Sequence, residues 1–104
     1  YIELIRLTTG MDFSMEDLWE IANRIITIER LTQEQHGFGS RQWETLPEMW
    51  KAPITGGVLA GDSLDPVKVD EFLDGFYKLH GWDNNGVPPK ELIKKLGIAK
   101  AKKL

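Results

Sequence analysis

Residues of the types that carry out chemistry are few and scattered in this chain. It has two histidines, His36 and His80, and no cysteine. Disulfides, Cys-ligated zinc and a cysteine nucleophile within this chain are therefore excluded. Each histidine falls at a predicted helix end, where the helix dipole favours this residue type. Two histidines without a paired spacing do not make a metal site, so a structural role is favoured for both.

Two other clusters fail to match a known ligand geometry. The aspartates of segment 62–70 lack the oxygen spacing of a calcium-binding EF-hand, and helix capping with a solvated face explains them. Gly56, Gly57 and Gly61 lack the strand–turn–helix context and the Lys-Ser/Thr of a phosphate loop. The residues alone predict no catalytic, cofactor-binding or metal-ligating side chain.

The elements that would position these residues are helices. Ser14 with Asp17 forms a variant capping box, and Asp65-Pro66 is a strong helix start. Four helices are predicted, over Tyr1–Thr9, from Ser14 to near His36, from Asp65 to His80, and as a short segment after Pro88-Pro89. In the long second helix, apolar residues recur at three and four residues and predict a core stripe of Leu18, Ile21, Ala22, Ile25, Ile28 and Leu31. The third helix has a predicted apolar face of Val69, Phe72, Leu73, Phe76 and Tyr77.

Residues 40–64 lack helical periodicity and are rich in Pro and Gly. A loop of this length is uncommon in a compact domain, and its tryptophans indicate that it packs on something. A strand over Ile54–Leu59 would have no partner strand. The bulky apolar residues of this loop are candidates for a partner-facing surface: Trp43, Trp50, Ile54, Val58 and Leu59. The alternative is that the tryptophans fold back and complete the chain's own core.

Composition fits one soluble globular unit. The chain has 104 residues, 41 % apolar and 28 % charged, and no apolar run long enough for a membrane span. We expect residues 1–104 to form a single all-α domain of three to four helices with one long ordered loop. Residues 1–87 hold 7 basic and 15 acidic side chains, whereas 88–104 hold six lysines and one glutamate. The basic tail, residues 95–104, is expected to fray, and the acidic body argues against a nucleic-acid partner.

Short motifs in one order along the chain carry the strongest functional signal. Each is weak alone, but together they span nearly the whole sequence. They are Thr9-Gly10-Met11-Asp12, Ala22-Asn23-Arg24-Ile25, Ile28-Glu29-Arg30-Leu31, His36-Gly37-Phe38, Thr45-Leu46-Pro47-Glu48, and Phe76 to Pro88 followed by Leu96-Gly97-Ile98. On these motifs the chain resembles the carboxy-terminal domain of the tungsten-containing aldehyde ferredoxin oxidoreductase family.

The chain also departs from the family pattern. His80 stands where the family has an arginine, and Pro89 where a Ser or Thr would cap the last helix. The sequence begins after the segments in which the family binds its cofactors, which are tungstopterin (a molybdopterin-type cofactor) and a 4Fe–4S cluster. We therefore carry over no catalytic, cofactor-binding or metal-ligating residue, and expect no cofactor in this chain.

The resemblance implies a domain that packs against the cofactor-binding parts and lines the substrate channel. The full cytoplasmic enzyme would oxidise an aldehyde to a carboxylic acid and transfer electrons to ferredoxin. The implied partner is the remainder of the oxidoreductase chain or subunit, with no nucleic acid and no membrane. The isolated domain is expected to form a homodimer or to show a mobile loop around Trp43, Trp50 and Ile54–Leu59. The alternative function is a stand-alone, cofactor-free protein-interaction module.

Overall fold

A computed structural model describes residues 1–98, which fold as helices with no strand among them. The all-α prediction is confirmed, and all four predicted helices are present. A single-turn helix inside the long loop is additional. The five α-helices are α1 (Ile2–Thr9), α2 (Met15–Gln35), α3 (Glu48–Lys51), α4 (Pro66–His80) and α5 (Lys90–Lys95), and a 3-10 turn covers Arg41–Trp43.

The helix ends are fixed by the local chemistry that the sequence predicted. The Ser14 hydroxyl accepts from the Asp17 N–H at 3.1 Å, and the Asp17 carboxylate accepts from the Ser14 N–H at 2.8 Å. Asp65 caps α4 by accepting from the Val67 N–H at 2.9 Å. Gly81 ends α4 with φ of 73°, a left-handed conformation that few residues other than glycine adopt.

The predicted core stripe of α2 is correct only in part. Ile25 and Ile28 are 53 % and 44 % exposed, and Ala22 is exposed too, whereas Thr27 and Arg30 on the opposite side are buried. Leu18, Ile21 and Leu31 are half-buried. His80 at the end of α4 and Trp82 just after it carry polar atoms that need hydrogen-bond partners, and Asn23 and Thr27 on the polar face of α2 supply them.

The predicted apolar face of α4 is correct in part. Tyr77 is buried, and Val69, Leu73 and Phe76 are half-buried. Phe72 is 69 % exposed and lies outside the packed face. The apolar face of α4 is therefore wider than the surface that the other described residues cover.

The long loop closes on itself through backbone hydrogen bonds. The Ile54 N–H donates to the Asp62 carbonyl and the Gly61 N–H donates to the Ile54 carbonyl, both at 2.8 Å, and the Leu64 N–H donates to Trp50. These bonds make a closed turn, and Ile54–Leu59 forms no strand.

The fraying predicted for residues 95–104 does not start at Lys95. Lys95 is the last residue of α5, Leu96 is buried, and the Ile98 N–H donates to the Ile93 carbonyl at 3.1 Å. The rest of the basic tail, residues 99–104, lies outside the described residues.

The chain is open for its size. Its radius of gyration is 18.1 Å, whereas a compact domain of this length has about 13 Å. Its accessible surface is 8585 Å², against about 6,000 Å² for a compact monomer of the same mass. Within residues 1–98, none of the helices has the length and apolar character needed to cross a membrane.

Candidate functional site

Arg30 is the centre of the most buried polar cluster in the described chain. The residue is only 4 % exposed although it carries a charge. Its guanidinium carbon lies 4.7 Å from the centre of the Trp82 ring and 5.6 Å from that of Tyr77. The Nη2 group donates to Glu44 at 2.7 Å. The charge is thus held by one carboxylate and two aromatic faces.

The Glu44 carboxylate serves two donors. One oxygen accepts from Arg30, and the other accepts from the Tyr77 hydroxyl. Glu44 follows the 3-10 turn, so this contact ties the start of the long loop to both α2 and α4. No sequence pattern indicated this role of Glu44, although Glu44 directly precedes the Thr45–Glu48 motif.

Gly86 lets the chain pass close to the cluster. A Cβ atom there would lie 2.7 Å from the Tyr77 ring and 2.9 Å from an Arg30 nitrogen. Gly86 also has a φ of 72°. Both the left-handed backbone and the contact distance require glycine in this turn.

The polar face of α2 makes further contacts to the end of α4. The Trp82 indole N–H donates to the Thr27 hydroxyl at 3.4 Å, and the His80 Nδ1–H donates to the Asn23 side-chain oxygen at 2.8 Å. Asn23, Thr27 and Arg30 repeat at four and three residues, so they share one face of the helix. Asn23 and Thr27 each bind one ring from the other side, and Arg30 contacts two.

Arg41 binds the outer side of the same region. Its guanidinium group pairs with Asp70 and Asp74 on α4 and lies 5.6 Å from the centre of the Tyr77 ring. The hydrogen bond to Asp74, and then that to Asp70, raises the pKa of Arg41 above its usual value. Tyr77 therefore contacts two guanidinium groups, one buried and one half-buried.

His80 is the last residue of α4, at a helix end as the sequence predicted, and it is buried. Its ring lies 4.5 Å from Phe76, 5.5 Å from Trp82 and 5.8 Å from Trp19, centre to centre. Burial lowers the pKa of His80 below its usual value, which opposes the helix dipole and favours the neutral ring. His36 is exposed, and its Nδ1 lies 2.8 Å from the Thr32 carbonyl oxygen.

A cleft of about 690 Å³ opens beside His80. His80 and Asn23 line it together with apolar side chains of α2, α4 and α5. Its charged residues are of both signs, Glu16 and Glu20 against Lys78 and Lys95. The cleft thus has no strong preference for an anion or a cation.

The five residues predicted to face a partner are all exposed. Three of them, Trp50, Ile54 and Leu59, line one groove of about 500 Å³. Trp43 packs edge-on against Phe38, and Val58 is fully exposed. The structure thus brings three of the five together.

Among residues 1–98, no three His, Cys, Asp or Glu side chains are grouped so that they could hold a metal ion. The Arg30 cluster has its donors and acceptors paired with one another, apart from Arg30 Nε, which has no partner in the described chain. Such an arrangement joins elements of the fold and offers no group poised for proton transfer or nucleophilic attack.

Comparison with known proteins gives consistent matches. A family profile described as aldehyde ferredoxin oxidoreductase, domains 2 and 3, matches residues 1–98. The tungsten-containing aldehyde ferredoxin oxidoreductases of Pyrococcus furiosus and Thermococcus kodakarensis are each 36 % identical to the chain over 100 residues. An aliphatic sulfonate oxidoreductase, WOR-like subunit, of Pyrococcus furiosus is 26 % identical over 107 residues, covering 98 % of this chain and 17 % of its own length. The two aldehyde oxidoreductase matches cover 95 % of this chain, which spans 16 % of the length of those relatives.

Substitution of Glu44 tests the Arg30 cluster. Removing one member of a buried pair leaves the other charge uncompensated, and since Glu44 is 30 % exposed we expect Glu44→Ala to lower the free energy of unfolding by about 2–3 kcal/mol. The matched control is Glu48→Ala, because Glu48 pairs with Lys51 while 88 % exposed; its effect should stay within about 0.5 kcal/mol. Urea unfolding of the unmodified chain and of the two variants measures both changes in the free energy of unfolding. Equal losses in the two variants would contradict the importance of the Arg30 cluster.

The buried His80 should make stability depend on pH. Its pKa is lower in the folded chain than in the unfolded chain, so the unfolded state binds the proton more readily below about pH 6.5. The contribution of the neutral, buried His80 to the free energy of unfolding is therefore fully present near neutral pH. It is lost as the pH drops toward the pKa that His80 has in the folded chain. Asp17, whose pKa the Ser14 N–H lowers from its usual value, titrates in a more acidic range.

Unfolding curves at neutral and mildly acidic pH measure this dependence. His80→Gln should flatten it, because the glutamine side chain does not titrate in this range. An unchanged slope in His80→Gln would contradict the assignment.

Proposed function

Because the chain belongs to the aldehyde ferredoxin oxidoreductase family, we propose that it is the carboxy-terminal part of a tungsten-dependent aldehyde oxidoreductase. The whole enzyme would be cytoplasmic, oxidise an aldehyde to a carboxylic acid, and transfer two electrons through an iron–sulfur cluster to ferredoxin. The observation that carries the proposal is the family match over residues 1–98. The chain spans 16 % of the length of these relatives, which supports the proposal that it is one part of a larger enzyme.

The role of this part within the enzyme is structural. The described residues provide no cysteine and no group of metal ligands, so they do not fit as ligands of a 4Fe–4S cluster or of tungsten. Both cofactors would be bound by other parts of the enzyme. The Arg30 cluster instead keeps α2, α4 and the start of the long loop in a fixed arrangement.

The partner-facing surface of the long loop would contact the remainder of the oxidoreductase and help to line its substrate channel. Support comes from the exposure of Trp43, Trp50 and Val58, which are 53, 54 and 103 % exposed. Burying one such side chain contributes roughly 2–3 kcal/mol. A chain that leaves several of them in water gains by being covered. The homodimer expected of the isolated chain stays a prediction.

Activity of the native polypeptide that contains these residues tests the proposal. Purified without oxygen from cells grown with tungstate, it should contain tungsten and iron and reduce a viologen dye when an aldehyde is added. Protein from cells grown without tungstate is the control and should be inactive. A polypeptide with neither metal nor aldehyde-dependent reduction would refute the proposal and favour the stand-alone interaction module.

Oxidative footprinting tests the partner-facing surface. In the free chain, Trp43 and Trp50 should react readily with hydroxyl radicals because they are half exposed. In the complete enzyme both should become protected. Trp82, which is 8 % exposed, is an internal control that should react slowly in both samples. Equal reactivity of Trp43 and Trp50 in the two samples would show that this surface faces solvent.

A further inference from the structure

The apolar side of α2 that faces away from the Arg30 cluster has the pattern of a helix-packing surface. Leu18, Ile21, Ile25 and Ile28 recur at intervals of three, four and three residues. This spacing keeps the four side chains in one narrow line, which we call the outer seam, along about 15 Å of helix. Spacing of this kind is typical of helices that pack lengthwise against another helix.

The two sides of α2 differ in whether they are already covered. Thr27 and Arg30 are 0 % and 4 % exposed, whereas Ile25 and Ile28, in the outer seam, are 53 % and 44 % exposed. No two helices within residues 1–98 pack along their length. The outer seam therefore has no helical neighbour along its full length in the described chain. An apolar helix face that is exposed to water destabilises the helix, so this seam would be more stable if it were covered.

The area available supports a stable contact. The accessible surface of 8585 Å² exceeds that of a compact monomer of equal mass by roughly 2,600 Å². A standard protein interface covers about 800 Å² on each partner. The excess belongs to the chain as a whole and is larger than the area that one standard contact covers.

The charges beside the outer seam indicate the chemistry of its partner. Asp17, Arg24 and Glu29 flank it in that order along the helix. A helix packed on this seam would meet an acidic side chain near each end and an arginine between them, which favours side chains of the opposite sign at its own facing positions.

We propose that the outer seam of α2 binds an amphipathic helix, apolar along one line and carrying beside it charges opposite to those of Asp17, Arg24 and Glu29, from the part of the oxidoreductase outside these 104 residues. The proposal rests on the proposed function, because it requires that the chain belongs to a larger enzyme. In the complete enzyme α2 is then a central helix, with the Arg30 cluster on one side and this partner helix on the other.

Photo-crosslinking in the native oxidoreductase tests the proposal. The photoreactive amino acid p-benzoylphenylalanine replaces Ile25, and in a second protein Ile28. After irradiation, mass spectrometry should locate cross-links from both positions to one helical segment outside the 104 residues. Replacement of Gln33, an exposed residue of α2 away from the outer seam, is the control and should give no cross-link to that segment.

A second measurement uses ordinary variants in the same enzyme. Ile25→Asp should lower the yield of metal-loaded enzyme severalfold, and the conservative Ile25→Val should retain it. Gln33→Asp, at an exposed position of α2 away from the outer seam, should also retain it, because that side chain faces no partner helix. An equal loss of yield in Gln33→Asp would overturn the proposal.

The outcomes separate this proposal from the proposed function. Cross-links to a second copy, to residues 1–98 alone, to the Gln33 control equally, or to nothing would overturn the helix partner. Aldehyde oxidation is measured on the unmodified enzyme in parallel. Full activity without the cross-link contradicts only the proposed partner helix. The cross-link in a polypeptide that is inactive toward aldehydes contradicts only the proposed activity.

Discussion

Burial of one positive charge determines how this chain is arranged. Arg30 is 4 % exposed, and a guanidinium group removed from water is stable only if an anion and suitable donors and acceptors surround it. Glu44 supplies the anion, and Tyr77 and Trp82 supply ring faces. These partners come from the start of the long loop and from the end of α4. The positions of three segments are therefore set by the needs of a single side chain.

The same requirement explains why α2 carries apolar residues on the side turned to solvent. Its inner face must be polar, since Asn23 and Thr27 accept hydrogen bonds from His80 and Trp82. The aliphatic residues of the helix are consequently on the other side. In a free-standing domain an apolar helix face exposed to solvent is unfavourable. In a segment that is covered on both sides, the same face contributes to packing.

Local features of the fold were predictable from the sequence, and long-range ones were not. The Ser14–Asp17 capping box and the Asp65 cap involve residues within three positions of each other, so propensity and spacing suffice to find them. Periodicity in α2 revealed an apolar line correctly but could not tell which side meets the rest of this chain. That choice depends on His80, more than fifty residues away.

The candidate site shows the same division. Tyr77, Trp82 and Arg30 all lie in motifs that carry the family resemblance, but no pattern indicated that they meet. Glu44 was missed because a single acidic residue in a loop has no periodic signal. The exposed loop residues were found because bulky apolar side chains in a segment rich in Pro and Gly are unusual.

The sharing of the Glu44 carboxylate between Arg30 and Tyr77 has a consequence for sequence divergence. Neither donor can be lost alone without leaving a charge or an oxygen unsatisfied, so the effects of substitutions at these three positions are not additive. Gly86 adds a fourth position, since any larger residue would meet both Tyr77 and Arg30. A substitution at one of these four positions is therefore tolerated only together with substitutions at the others. We expect the four positions to vary as a single unit among descendants of this sequence.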